Sequence, residues 1–143
     1  MVFEIEIDRS VLDALAGAAD KVKDYIIAGL DDFMRSLESD AKFSAPIRTG
    51  NLRASHVIYA PDEFTRVLTV DTNQAPYAVF VHEGTSPHVI EPVHAKALFF
   101  DGRFAKRVHH PGTPPNPWMR DVIEDADPTS HIENYLSLLL GGL

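Results

Sequence analysis

The stretch Ser44-Ala-Pro-Ile-Arg-Thr-Gly-Asn-Leu-Arg-Ala-Ser55 separates two kinds of sequence, a long helical pattern before it and a succession of short strand-like runs after it. Pro46 lacks the amide hydrogen that a helix interior needs and pushes Ala45 toward an extended backbone, so a preceding helix must stop here. Thr49 is a good N-cap type and Gly50 accepts whatever backbone angles the corner needs. Asn51-Leu-Arg-Ala54 then suits one helical turn before Ser55 opens a strand. Read locally, this is a tight helix-to-strand connection in which Leu52 plugs into the core while Arg48 and Arg53 face out.

Ahead of the corner, Phe3, Ile5 and Ile7 alternate with Glu4, Glu6 and Asp8, the pattern of a short half-buried strand over residues 1–8. Ser10 is placed to cap a helix over residues 10–44, with Asp13 in the first turn where an acid suits the dipole. Apolar residues from Leu12 and Leu15 through Ala19, Val22, Ile26, Leu30, Phe33, Met34 and Leu37 to Ala41 then recur every three or four positions. That is the period of one amphipathic helix. In a chain of 143 residues such a helix either lies along its own sheet or extends past it to a second subunit.

Residues 55–110 are expected to form antiparallel strands with a hairpin insertion. His56-Val-Ile-Tyr59 reads as a strand, Ala60-Pro-Asp-Glu63 as a turn, and Thr65 to Asp71 as the antiparallel partner. Asn73-Gln-Ala-Pro76 is another turn. Tyr77-Ala-Val-Phe-Val-His82 follows as a third strand, with Tyr77 and Phe80 in the core, stopped by Glu83-Gly-Thr-Ser-Pro87. Fragments at His88–Glu91, Ala97–Phe100 and Arg107–His110 come next, and Asp101-Gly102 predicts a hairpin between the last two. A proline-rich arm at residues 111–116 precedes a helical pair over residues 117–140. Its first helix is expected to be capped by Asn116 and opened by Pro117, and its second to be capped by Asp127. Ile132, Tyr135, Leu136 and Leu139 form the stripe of that last helix, and Gly141-Gly142 ends it. The fold class expected is therefore α+β in a single domain, a long N-terminal helix packed on an antiparallel sheet.

Charge narrows the partners. The net charge of −8 argues against a surface built to grip nucleic acid through phosphates. Acids dominate residues 1–40 and the end of the chain, whereas Lys42, Arg48 and Arg53 around the corner have no acidic neighbour, a dipolar distribution able to set acid against base on a second subunit. With no cysteine there is no disulfide framework, thiolate zinc site or cysteine nucleophile, and a reducing cytosolic origin is expected. The acidic start is unlike a signal peptide and no apolar run has the length of a membrane span, so a soluble, unprocessed protein is expected.

Few chemical constellations stand out. His82, His88, His94 and the His109-His110 pair, with Glu83 and Glu91 as oxygen donors, offer a metal-dependent hydrolase or metal-stabilised domain as the alternative function, although their spacing matches no metal-site pattern. There is no nucleophile elbow and no phosphate-binding loop, and no pair of carboxylates is singled out for acid-base work. A small soluble binding module of a cell, with a one-to-one partner and no closed ring, is a further reading. Trp118, the only tryptophan, stands beside Met119 after a run of prolines, where it is either a core anchor or an interface anchor.

The order of these pieces resembles a known family. A long helix ending in Ala45-Pro46, then Thr49-Gly50-x-Leu52-x-x-Ser55, two strands, Tyr77-Ala-x-Phe-Val-x-Glu-Gly-Thr85, and Asn116-Pro-Trp-Met119 opening a helix is similar to the tail-component or tail-completion proteins of the neck of long-tailed bacteriophages. The likeness runs from about residue 10 to about residue 125. Leu98-Phe-Phe and Val108-His-His-Pro-Gly-Thr113 resemble the version with an inserted hairpin. Arg48 and His82 depart from it, each standing before a motif in the place of another residue type.

The resemblance implies a structural virion protein of the head-to-tail junction, in a neck, tail-completion or tail-terminator role, assembled in the host bacterial cytoplasm. Its implied partners are copies of itself in a homo-oligomeric ring of six or twelve subunits, other neck, connector and tail-tube proteins, and DNA passing through the lumen without sequence-specific binding. No membrane partner, cofactor, metal or catalytic residue is expected. Arg48, Arg53, His82, Glu83, Pro111, Pro115, Trp118 and Met119 are the candidate contacts to neighbouring subunits or partners, together with exposed arms at residues 84–96 and 110–117.

Overall fold

The computed structural model describes residues 9–141; the strand expected over residues 1–8 lies outside the described residues, as do the side chains of Leu12 and Leu15. The fold is α+β, a long N-terminal helix packed on an antiparallel hairpin with short C-terminal helices. Helix α1 (Arg9–Ser44) begins before Ser10, which lies inside it rather than capping it. Along the predicted stripe Met34, Leu37 and Ala41 are buried and Val22, Ile26, Leu30 and Phe33 are half-buried, whereas Ala19 is exposed. The last helix, α5 (Pro128–Gly141), lies along α1, and its stripe of Ile132, Tyr135, Leu136 and Leu139 is the packed side. Gly29 permits the close approach: a methyl group there would sit 3.1 Å from Ile132 Cα. Asp127 Oδ1 accepts a hydrogen bond from the Thr129 amide at 2.9 Å, the cap expected of it.

At the corner, Ala45 still donates to Ala41 O before Pro46 ends the helix. Gly50 takes a left-handed φ of 87° and occupies the cap position of the single turn α2 (Asn51–Ala54); Thr49, expected there, stands one residue earlier, its hydroxyl 3.4 Å from the Asn51 amide. Strand β1 (His56–Asp62) then pairs antiparallel with β2 (Thr65–Val70). His56 and Ile58 oppose Val70 and Leu68 on the inward face, and Val57 and Tyr59 point out. The strand continues through the residues expected to turn, with a bulge between Tyr59 and Asp62, so the reversal falls at Glu63-Phe64. Pro61 is tolerated because an edge bulge asks no amide of it. Arg66 to Asp31 at 2.5 Å and Lys23 to Glu63 at 2.6 Å fasten the hairpin to α1.

The third strand expected at Tyr77–His82 is instead helix α3 (Ala78–Glu83). Pro76 precedes it, where a missing amide costs nothing, and the covered positions are 78, 81 and 82, a helical rather than an alternating spacing. Tyr77 and Phe80 are therefore not core residues; they are 40% and 60% exposed. The β-favouring Val-Phe-Val run yields because packing, not propensity, decides a short segment.

In the insertion, β3 (His88–Ile90) pairs with β6 (Val108–His110), and β4 (Leu98–Phe100) pairs with β5 (Arg103–Ala105). The expected pairing of Ala97–Phe100 with Arg107–His110 is thus corrected by turn geometry. Asp101 and Gly102 both have positive φ, 49° and 73°, the two-residue turn that sets Phe100 opposite Arg103. Leu98 must then face Ala105, which leaves the last strand for His88–Ile90. The strands form separate two-stranded sheets, not a three-stranded meander.

The proline-rich arm is pinned rather than loose. Thr85 and Thr113 exchange backbone hydrogen bonds of 2.9 and 3.0 Å where Gly84 (φ 75°) and Gly112 (φ 86°) cross. A methyl group on Gly84 would lie 2.6 Å from Thr113 O, and one on Gly112 would collide with Thr85 O. Asn116 does not cap the next helix with its side chain; its amide donates to Val81 O at 3.1 Å, and Pro117 stands at the cap position of α4 (Trp118–Asp125). These elements meet in one apolar cluster, Ala45, Leu52, Ala75, Ala78 and Trp118, flanked by Val70, Val81 and Met119.

Candidate interaction site

Trp118 resolves between its two expected roles in favour of the core: it is 2% exposed. Its indole Nε1 donates to His56 Nε2 at 3.0 Å, and His56 Nδ1 lies 3.1 Å from Arg53 O. An indole N–H can only donate and a carbonyl can only accept, so both bonds are made by the neutral imidazole carrying its proton on Nδ1. Ser55 Oγ donates to Leu52 O at 2.7 Å, so both buried polar side chains of the corner are satisfied. Neither His56 nor Ser55 stands out as functional in the sequence. The available signal is that a buried tryptophan needs an acceptor and that His56 opens an inward-facing strand.

Beside this core lies a largely apolar open groove of about 510 Å³ between α3, α4 and the end of β2. Ala78, Val70 and Trp118 form its floor, and Val79, Met119 and Ile123 its walls. On the rim, His82 and Arg120 share Glu83: Oε1 of Glu83 is 2.5 Å from His82 Nδ1 and 3.1 Å from Arg120. The hydrogen bond from His82, reinforced by the Arg120 charge, holds the Glu83 carboxyl below the usual carboxylate range. His82 also sets its ring edge-on to Trp118, with centroids 5.1 Å apart. Of the predicted contact residues, His82, Glu83, Trp118 and Met119 are therefore brought together, while Arg120, Val79 and Ile123 join them without having been singled out.

The others stand apart. Arg53 does not face out. Its Nε donates to Lys42 O at 2.8 Å and its Nη2 to Phe43 O at 3.3 Å, capping carbonyls at the C-terminus of α1, where a cation also meets the negative end of the dipole. Arg48 is exposed and lines a second hollow of about 580 Å³ with Thr49, Gly50 and Tyr77, on another side of the corner. Pro111 and Pro115 are exposed on the pinned arm. Among the histidines, His88 and His110 stack at 4.9 Å, His88 Nδ1 is 2.8 Å from Ser86 O, and His110 Nδ1 accepts from the Gly112 amide at 3.0 Å. No group of three or more His, Asp or Glu side chains placed to hold a metal ion occurs among the described residues.

No helix among the described residues is long and apolar enough to cross a membrane. Comparison with protein-family models, curated proteins and solved structures returns no match for this chain.

Proposed function

We propose that this chain is a structural subunit of the bacteriophage head-to-tail junction, in a neck, tail-completion or tail-terminator role, whose copies close into a ring of six or twelve. The ring joins or caps the tail, stacks on other neck, connector and tail-tube proteins, and lets DNA pass without reading its sequence. The observation that carries the reading is the distribution of apolar surface. More large apolar side chains are exposed than buried among the described residues, and they include Phe43, Phe80, Val93, Phe99, Phe100 and Phe104. A subunit that spends its aromatics on its surface is one whose core is completed by neighbours. The motif order supports the same reading, since Ala45-Pro46, Leu52-x-x-Ser55, Tyr77-Ala78 and Pro117-Trp118 are the segments that converge at the corner. The acids of α1, with Asp13, Asp20 and Asp24 exposed, suit a lumen that repels a passing polyanion.

The test is the native mass of the purified chain over a rising concentration series, with bound metal assayed on the same sample. A discrete closed oligomer of about six or twelve subunits is expected, because cyclic contacts saturate at a fixed size. A monomer holding stoichiometric metal would replace this reading with the metal-dependent alternative.

A further inference from the structure

The buried end of helix α4 is fastened to the corner by one side-chain hydrogen bond, and a proton competes for the lone pair which that bond uses. Trp118 is the one buried residue of α4 and the only tryptophan of the chain. Met119, Ile123 and Glu124 of the same helix line the groove, with Trp118 in its floor. Whatever releases Trp118 therefore slackens one side of the groove.

His56 is itself 2% exposed. Its Nδ1 faces Arg53 O at 3.1 Å, and its Nε2 takes the indole hydrogen at 3.0 Å. With the first proton on Nδ1, a second can go only to Nε2. The indole nitrogen has no lone pair to offer in return, so a protonated His56 would meet Trp118 with N–H against N–H. A buried imidazolium also needs an anion beside it, and His56 takes part in no ion pair among the described residues.

The charged residues of the surrounding elements are engaged with other partners or exposed. On α2, the Arg53 guanidinium is turned to Lys42 O and Phe43 O. On α1, Lys42 pairs with Glu38 at 2.8 Å, Asp31 pairs with Arg66 of β2, and Asp40 is exposed. After β2, Asp71 Oδ1 accepts from the Asn73 amide at 2.9 Å. On α3 and α4, Glu83 is shared by His82 and Arg120, and Asp121 is exposed. His82, edge-on to Trp118, is the other imidazole at the site.

We propose that the His56–Trp118 bond is a proton-operated catch: neutral His56 holds Trp118 and closes α4 on the corner, and a proton on His56 releases Trp118 and slackens the α4 side of the groove. The bond is made at neutral pH and lost as pH falls through the range in which imidazoles take up protons. The catch belongs to the single chain and stands whether or not copies close into a ring.

The sole tryptophan reports it. Emission of the parent chain is expected to move to longer wavelength between about pH 7.5 and about pH 5, while circular dichroism still shows the folded helices. His56→Gln sets a carbonyl oxygen, which takes no proton in this range, in the place of Nε2, and its emission should stay constant. His82→Gln controls for quenching by the second imidazole and should keep the parent's transition. In urea, the unfolding constant of the parent should rise with acid by up to about tenfold per pH unit more than that of His56→Gln, the slope of one proton. A bond with a purely structural role would separate the two chains by the same factor at every pH.

Should His56→Gln fail to fold, the indole N–H resonance of the parent reads the same bond, and should move in step with the nitrogen chemical shift of His56 Nε2. Movement in step with His82 instead, or none, overturns the catch. So does emission that stays put until the helices melt, a transition kept by His56→Gln, or one abolished by His82→Gln.

Discussion

The corner and the insertion use aromatic residues in opposite ways. At the corner a single tryptophan is enclosed by α1, α2, β1 and α3, its one polar atom bonded to His56, and the surrounding positions are as small as Ala45, Ala75 and Ala78. In the insertion, phenylalanines at 99, 100 and 104 stand on a two-stranded hairpin, and no residue from 88 to 110 is buried. A lone hairpin of that size is marginal in water. What orders it locally is turn chemistry, the positive φ at Asp101 and Gly102, rather than a core. Aromatic content therefore says little about where a core lies; small residues and punctuation around one ring say more. One region has a core of its own, and the other has none among its own residues.

The sharpest way to break this contrast is to truncate the tryptophan. Trp118→Ala removes the largest side chain of the cluster and leaves His56 Nε2 without its donor, so a loss of about 3–5 kcal/mol is expected. Trp118→Phe keeps most of the volume and loses the hydrogen bond, and should fall between the parent and the alanine variant. Urea denaturation reads both. If Trp118→Ala cost no more than Phe104→Ala, the corner would not be the core of this fold.

The corner was legible because its signals are local and agree. Pro46 stops α1, Gly50 turns the chain, and Leu52, the one large apolar residue of the short turn, is the one it buries. The stripe of α5 and its Asp127 cap were equally readable. Sequence failed where the outcome is set by distant partners. Tyr77–His82 has strand propensity but no strand beside it, and becomes a helix to place Ala78 against Trp118 and Leu52. The register of the insertion was decided by one two-residue turn, which left Val108–His110 for the more distant His88–Ile90 rather than the neighbouring fragment. Of the predicted contact residues, His82, Glu83, Trp118 and Met119 lie together on one groove, but the groove itself was not legible, since it exists only once α3 and α4 are laid side by side.

Smaller effects come from the seam between the two regions. Gly112→Ala forces a methyl group toward Thr85 O at a position of positive φ, and a cost of roughly 1–3 kcal/mol is expected from strain and separation of the Thr85 and Thr113 backbones. Hydrogen exchange at these two amides should accelerate more than exchange in α1. A uniform acceleration would mean that the arm and the corner unfold as one unit.

Acid should act weakly at the groove rim. Glu83 is held below its ordinary value by the hydrogen bond from His82 and by Arg120, so its folded form binds its proton later than the unfolded chain does. Its contribution is present above the ordinary carboxylate range and is lost as pH falls through the lowered folded value. Glu83→Gln should therefore narrow the stability difference between neutral and acid pH slightly, and added salt should narrow it further, because the group is solvent-exposed. An unchanged acid profile in the variant would show that the His82 contact contributes nothing in solution.

The smallest effect on folding is expected at a large side chain that stands nearly free of its own subunit. Phe104→Ser removes an aromatic ring that is 78% exposed, so in dilute protein the unfolding midpoint should match the parent within about 0.5 kcal/mol. The two chains should part company as concentration rises. Anything that binds only the folded state raises apparent stability by mass action, so a parent chain whose exposed hairpin aromatics are covered in the proposed ring should gain stability with concentration. The serine variant, lacking that contact, should not. If the midpoints diverge already in dilute solution, Phe104 serves its own subunit, and the insertion belongs with the corner as part of a single self-sufficient core.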